Sequence, residues 1–133
     1  MAAKAVVDAV STRLEAEWTR TPVFSANSHG VAPTDGSPFL VALFPVANVE
    51  RVVMNERYYR EEGGIRFVLS IERGSGTDVG MGWADELAGL FREQKFDGVE
   101  TGVPTSPLIY DDNEEGNYFR ITVVVPYEYK FRD

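Results

Sequence analysis

The segment Gly74-Ser75-Gly76-Thr77-Asp78-Val79-Gly80 is the first place to look for chemistry, because it joins a strand-like run to a helix-like one. Phosphate-binding loops occupy such junctions. The detail excludes that use. A phosphate loop needs Gly, four residues, then Gly-Lys-Ser/Thr, and no lysine is present here. Gly74 and Gly76 match the start of a dinucleotide fingerprint, but Val79 stands where the third glycine belongs. Asp78 would repel a phosphate at that helix end. The segment reads as a turn with Thr77 or Asp78 capping the next helix. Asp111-Asp112-Asn113-Glu114-Glu115-Gly116 matches the first half of a calcium loop, yet its twelfth position is Thr122, where a bidentate glutamate is required. The run leads into a strand and reads as a solvated hairpin turn. His29 is the only histidine. Ser25, Ser28 and Asp35 lie near it, but on a Ser-, Gly- and Pro-rich stretch where catalytic geometry is hard to hold. Glu61-Glu62 and Glu114-Glu115 are adjacent in sequence, define no facing carboxylate pair, and read as surface groups. With no cysteine, thiol nucleophiles, disulfides and thiolate metal sites are excluded. We therefore expect no enzyme: no catalytic residue, no cofactor-binding residue and no metal ligand.

Trp18, Trp83, Tyr58, Tyr59, Tyr127 and Tyr129 read first as core packing and strand formers. Their second reading is an oligomer interface, where Tyr, Trp, Phe and Arg are enriched. The segment Arg51 to Arg60, RVVMNERYYR, has that composition. Arg51, Arg57, Tyr58, Tyr59 and Arg60 are the candidate contact residues.

These residues must be positioned by a small fold. The chain has 133 residues, enough for one domain over 1–133 that buries a core without metal or disulfide. Thirteen basic and 21 acidic residues give a formal charge of −8. That argues against whole-domain affinity for nucleic acid or for an anionic membrane surface. The N-terminus lacks the apolar core of a signal peptide, and no run approaches a membrane span. A soluble protein made and kept in a cytoplasm is expected.

Val6, Val7, Val10, Leu14 and Trp18 recur at helical spacing and predict a helix over Ala2 to Trp18, ended by Thr21-Pro22. Ser25 to Pro38 reads as a loop. Phe39 to Phe44 predicts a strand interrupted at Pro45. Val49 to Met54 is either a second strand or its continuation past a bulge. Gly63-Gly64 reads as a turn, and Ile65, Phe67, Leu69 and Ile71 alternate as a half-buried strand. Ala84, Leu87, Ala88 and Phe91 form the stripe of a second helix that fades over Gln94 to Gly98. Val99 to Tyr110 is a broken or edge strand because of Pro104 and Pro107. Phe119, Ile121, Val123, Val125, Tyr127, Tyr129 and Phe131 alternate as a last strand, paired with the previous one. The expected class is α+β: a mainly antiparallel or mixed sheet of four to five strands with two helices on one face.

In this order, several stretches resemble the tail terminator family of long-tailed phages and gene transfer agents. They are Arg13-Leu14-Glu15-Ala16-Glu17-Trp18 with Thr21-Pro22-Val23, Phe39 to Phe44, and Gly64-Ile65. They continue with Ala84-Asp85-Glu86-Leu87-Ala88, Leu90-Phe91-Arg92, Lys95-Phe96-Asp97-Gly98-Val99, and Phe119 to Val125 closing with Pro126-Tyr127. The resemblance implies a homo-hexameric ring on the growing end of a tail tube, which stops polymerisation and presents a surface to the head connector. Its implied partners are further copies of itself, tail-tube subunits and head–tail connector proteins, with no cofactor and no membrane. Its implied place is the tail–neck junction of a virion, assembled in the host bacterial cytoplasm. DNA would pass the ring without specific binding. Asp111, Asp112, Glu114 and Glu115 are the candidates for a negative lumen wall, since like charge repels phosphate. Competing readings are another neck or connector subunit, a small acidic enzyme using His29 or a carboxylate pair, and a ligand-binding domain with one deep apolar pocket.

Overall fold

The computed structural model describes residues 3–19, 21, 23–25, 38–72, 77–110 and 118–132. The elements are α1 (Lys4–Glu17), β1 (Val23–Ser25), β2 (Phe39–Arg51), β3 (Tyr58–Glu72), α2 (Thr77–Phe91), β4 (Lys95–Phe96), β5 (Val99–Thr101), β6 (Leu108–Tyr110) and β7 (Tyr118–Arg132). The strands form one mixed sheet in the order β1-β2-β3-β7-β5-β4, with β6 also on β7. Only the β1–β2 pairing is parallel among the described pairings. The class is the expected α+β, with helices on one face of a largely antiparallel sheet. The sheet has seven strands because four short ones, β1, β4, β5 and β6, join the three long strands β2, β3 and β7.

Period two in β3 and β7 builds the core. Ile65, Phe67, Leu69 and Ile71 of β3 and Ile121, Val123, Val125 and Tyr127 of β7 are all buried on the helix side. Val6, Ala9, Val10, Leu14 and Trp18 of the α1 region pack onto them beside Ala84, Leu87, Ala88 and Phe91 of α2 in one cluster. The Trp18 indole donates to the Thr21 hydroxyl at 2.9 Å, which satisfies its N–H inside the core. Gly80 lets α2 lie close to the sheet: a Cβ there would stand 2.6 Å from Ile71 Cδ1 and 2.9 Å from Ile121 Cδ1.

Two local features differ from expectation, and a third follows one of the two readings given for Phe39 to Met54. Gly63-Gly64 is not a turn; both glycines lie inside β3, paired with Val46 and Ala47 on one side and Pro126 and Tyr127 on the other. Pairing along both edges of a central strand outweighs a weak local preference. The reversal lies instead at residues 52–57, where the Val52 N–H donates to the Tyr58 carbonyl at 2.9 Å. Phe39 to Arg51 is one strand, with a register shift between Leu43 and Val46 that absorbs Pro45 as a bulge. Gln94 to Gly98 is not a fading helix end, because Lys95-Phe96 pairs with Val99-Glu100 through a tight turn. In that turn Asp97 has φ 48 and Gly98 φ 85, the Asp-Gly signature of a hairpin.

Pro104 and Pro107 do fall on an edge. The chain from β5 to β6 follows one side of β7, with Gly102 N donating to Pro126 O and Thr105 N to Val124 O, both at 2.9 Å. Gly98→Ala should cost about 1–2 kcal/mol, the price of a left-handed residue with a Cβ. The added methyl would also lie 3.3 Å from the Tyr129 ring. A urea titration of the two proteins reads the shift. His29, Asn27 to Ser37, residues 74–76, and Asp111, Asp112, Glu114 and Glu115 lie outside the described residues, as do the side chains of Thr77 and Asp78.

Candidate functional site

The ends of β2, β3 and β7 carry the sheet past the α1 N-terminus as a three-stranded arm. The last row under the helix layer is Val49–Glu61–Tyr129–Val99, and the next row out is Arg51–Tyr59–Phe131. Glu61 closes the helix layer. Its carboxylate accepts from the Ala3 N–H at 3.2 Å through both oxygens and from the Tyr127 hydroxyl at 2.7 Å. Ala3 offers no capping side chain, so Glu61 supplies a negative group to the α1 N-terminus from a distant strand. The expectation that Glu61 and Glu62 are both surface groups is therefore corrected: Glu61 is 3% exposed. Neighbours on a strand point to opposite faces, so Glu62 is exposed while Glu61 is buried.

Burial, the hydrogen bond to Glu61 and the negative charge of Glu61 push the Tyr127 hydroxyl far above the usual tyrosine range. The sign follows. An unfolded tyrosine loses its proton near about pH 10 while the folded one keeps it, so the folded state holds the extra proton. The contribution is full below that pH and is lost as pH rises. Tyr127→Phe should therefore flatten the alkaline fall of stability, read by chemical denaturation at neutral pH and above about pH 10.

Beyond Glu61 the arm turns aromatic and cationic. Tyr59 stacks on Phe131 at 5.4 Å between ring centroids, and Phe131 on Tyr129 at 5.7 Å. The Arg51 guanidinium lies over the Tyr59 ring at 5.7 Å. Tyr58 and Arg60 face the other way. Tyr58 lies under the Arg132 guanidinium at 5.0 Å, and Arg60 pairs with Glu50 and, at 3.2 Å, with Glu62. Arg57 is exposed in the turn. All five candidate contact residues thus occupy one end of the sheet, divided between two faces and the tip.

Sequence reading singled out the arginines and tyrosines but gave no weight to the apolar residues between them. Val49, Val52, Val53 and Met54 are exposed, Met54 at 90%. The signal was available: Val52-Val53-Met54 is an apolar run at a place where the chain must reverse. Tyr129 and Phe131 complete the ladder from β7, a partnership visible only through register.

On the helix-free face, Glu62, Glu128 and Glu100 stand in one cross-strand row. With Gly63, Gly102 and Pro126 they line an open groove of about 420 Å³. Each carboxylate has a cation on its own strand or the next: Arg60 at 3.2 Å, Lys130 at 3.5 Å and Lys95 at 3.6 Å. The row is a charge-compensated surface. Among the described residues, no group of three or more Asp, Glu or His is placed to hold a metal ion. No described helix is long and apolar enough to cross a membrane.

The profile of one protein family, described as phage tail terminator protein, matches residues 5–127. No curated protein matches the sequence. One solved structure aligns over 100% of this chain and 99% of its own with a TM-score of 0.65. At 21% identity that likeness concerns the fold alone.

Proposed function

Because this chain belongs to the phage tail terminator family, we propose that it closes as a hexameric ring on the growing end of a tail tube, stops polymerisation there and offers the head connector its docking surface. Its role is structural, in tail assembly. The family match over residues 5–127 is the observation that carries this reading. The arm supports it, since exposed apolar residues beside aromatic and arginine side chains are the composition of a protein interface.

Arg51, Arg57, Tyr58, Tyr59 and Arg60 make the ring contacts in this proposal. Tail-tube subunits lie on one side of the ring and connector proteins on the other, at the tail–neck junction of a virion assembled in the host cytoplasm. DNA passes without specific binding, because six copies at −8 each repel phosphate. Asp111, Asp112, Glu114 and Glu115 face that lumen. Particles made without this chain separate the proposal from a connector role. Overlong tubes are expected; tubes of normal length beside unattached heads would assign the chain to the connector instead.

A further inference from the structure

We propose that the tip between β2 and β3 of one copy seats in the groove of Glu62, Glu128 and Glu100 on a second copy, with Arg57 meeting those carboxylates and Met54 packing on Pro126 and Gly102. This specifies the contact and rests on the ring reading above.

Charge identifies the occupant. On a chain of net −8, residues 51–60 carry three arginines and one glutamate. Most of these charges are engaged within the chain. Glu56 pairs with Arg132 at 3.2 Å, Arg60 sits between Glu50 and Glu62, and Arg51 lies on the Tyr59 ring. Arg57 is exposed and has no carboxylate partner among the described residues. It is the cation the tip has to offer, and an acidic surface is what it fits.

The groove offers three carboxylates in one row, each with a single local cation beside it. Its Glu62 and Glu100 side chains are about half exposed, and the Lys95–Glu100 pair at 3.6 Å is solvated on both sides, whereas the Arg60 facing Glu62 at 3.2 Å is two thirds buried. A solvated pair contributes little in water, so at Glu100 exchanging Lys95 for a second cation costs little, and at Glu62 the incoming cation shares the carboxylate with Arg60. A guanidinium presents two parallel donors to a carboxylate, a geometry that the Lys95 and Lys130 ammonium groups cannot match. Below the carboxylates, Gly63, Gly102 and Pro126 give a floor without long side chains, on which an unbranched methionine can pack.

The tip and the groove of one copy cannot meet. Arg57 precedes Glu62 by five residues along an extended strand, about 16 Å at about 3.3 Å per residue. A copy therefore cannot fold its own tip back into its own groove. Tip and groove are different patches, so the contact is head-to-tail, the kind that closes a ring when the rotation allows.

The cysteine-free chain permits a direct test. The double variant Arg57→Cys with Glu100→Cys, assembled on tails and oxidised, should give a ladder of covalent oligomers of this chain. Each single variant should give none. Absence of the ladder from tails of normal length would overturn the tip-in-groove contact while leaving the ring reading intact. A dimer from Arg57→Cys alone, or a cross-link to a tube subunit, would overturn it in favour of a symmetric contact or a different occupant. A charge exchange provides a second reading. Arg57→Glu and Glu100→Arg should each lengthen tails and together restore their length; a double variant as defective as the singles would overturn the pairing. Normal tail length in the complete absence of this chain would instead remove the ring reading itself.

Discussion

Phe91→Ala is expected to lower the folding free energy by about 3–5 kcal/mol, the range for emptying a fully buried phenylalanine site. Phe91 ends α2 and is 0% exposed. Its ring lies 4.9 Å from Phe67 and 5.8 Å from Phe96, and the Arg13 guanidinium sits 5.8 Å from its centroid. The Phe91 carbonyl also accepts from the Thr101 hydroxyl. One side chain therefore joins α1, α2, the sheet centre and the β4–β5 hairpin. Little can collapse into the space, because the ring's neighbours belong to three other elements, α1, β3 and β4. Against a total of about 5–15 kcal/mol for a domain, this is a large fraction. A urea titration should show the midpoint falling by more than about 1 M at a typical denaturant slope. A loss below about 1 kcal/mol would mean that the hairpin moves in to fill the site. The hairpin also carries Glu100 and Thr101, so the groove should loosen with the core.

Met54→Asp should do the reverse, leaving the fold intact and removing the assembly. Met54 is 90% exposed and buries nothing within the chain, so stability should stay within about 0.5 kcal/mol of the parent. At an interface the same change places a desolvated carboxylate where an apolar side chain packed. A loss of about 2 kcal/mol per contact, typical of a hot spot, is about 30-fold per contact and recurs at every contact of a ring. The expected result is a folded protein that no longer limits tube length. Val79→Asp is the matched control: Val79 is 56% exposed, on α2 and away from the arm. It should leave tail length unchanged. Normal tails with Met54→Asp would remove the tip from the interface.

The elements that sequence reading found are those whose pattern is their own. The helical spacing from Val6 to Trp18, the stripe from Ala84 to Phe91 and the alternation through β3 and β7 each report burial directly: Val6, Val10, Leu14 and Trp18, the stripe, and the alternating residues Ile65 to Ile71 and Ile121 to Tyr127 are buried as expected. What was not legible depends on partners. Gly63-Gly64 reads as a turn until β2 and β7 are known to flank it. Glu61 reads as a surface acid until the α1 N-terminus is found above it. The parallel pairing of Val23–Ser25 with Leu40–Ala42 leaves no local trace, since three residues are too few to show a period. The Asp97-Gly98 turn is different: its residues were a sufficient signal, outweighed by the helical stripe just before it. The candidate contacts were legible as composition, not as geometry. Nothing in RVVMNERYYR indicates that Arg51 and Tyr59 share one face while Tyr58 and Arg60 share the other, because that follows from pairing register.

Electron microscopy of tail-tube subunits polymerised with and without this protein tests the capping role most directly. If the chain ends tube growth, its addition should shorten and narrow the length distribution and leave a ring at one end of each tube. Tubes of unchanged length with bare ends, in the presence of excess folded protein, would contradict it.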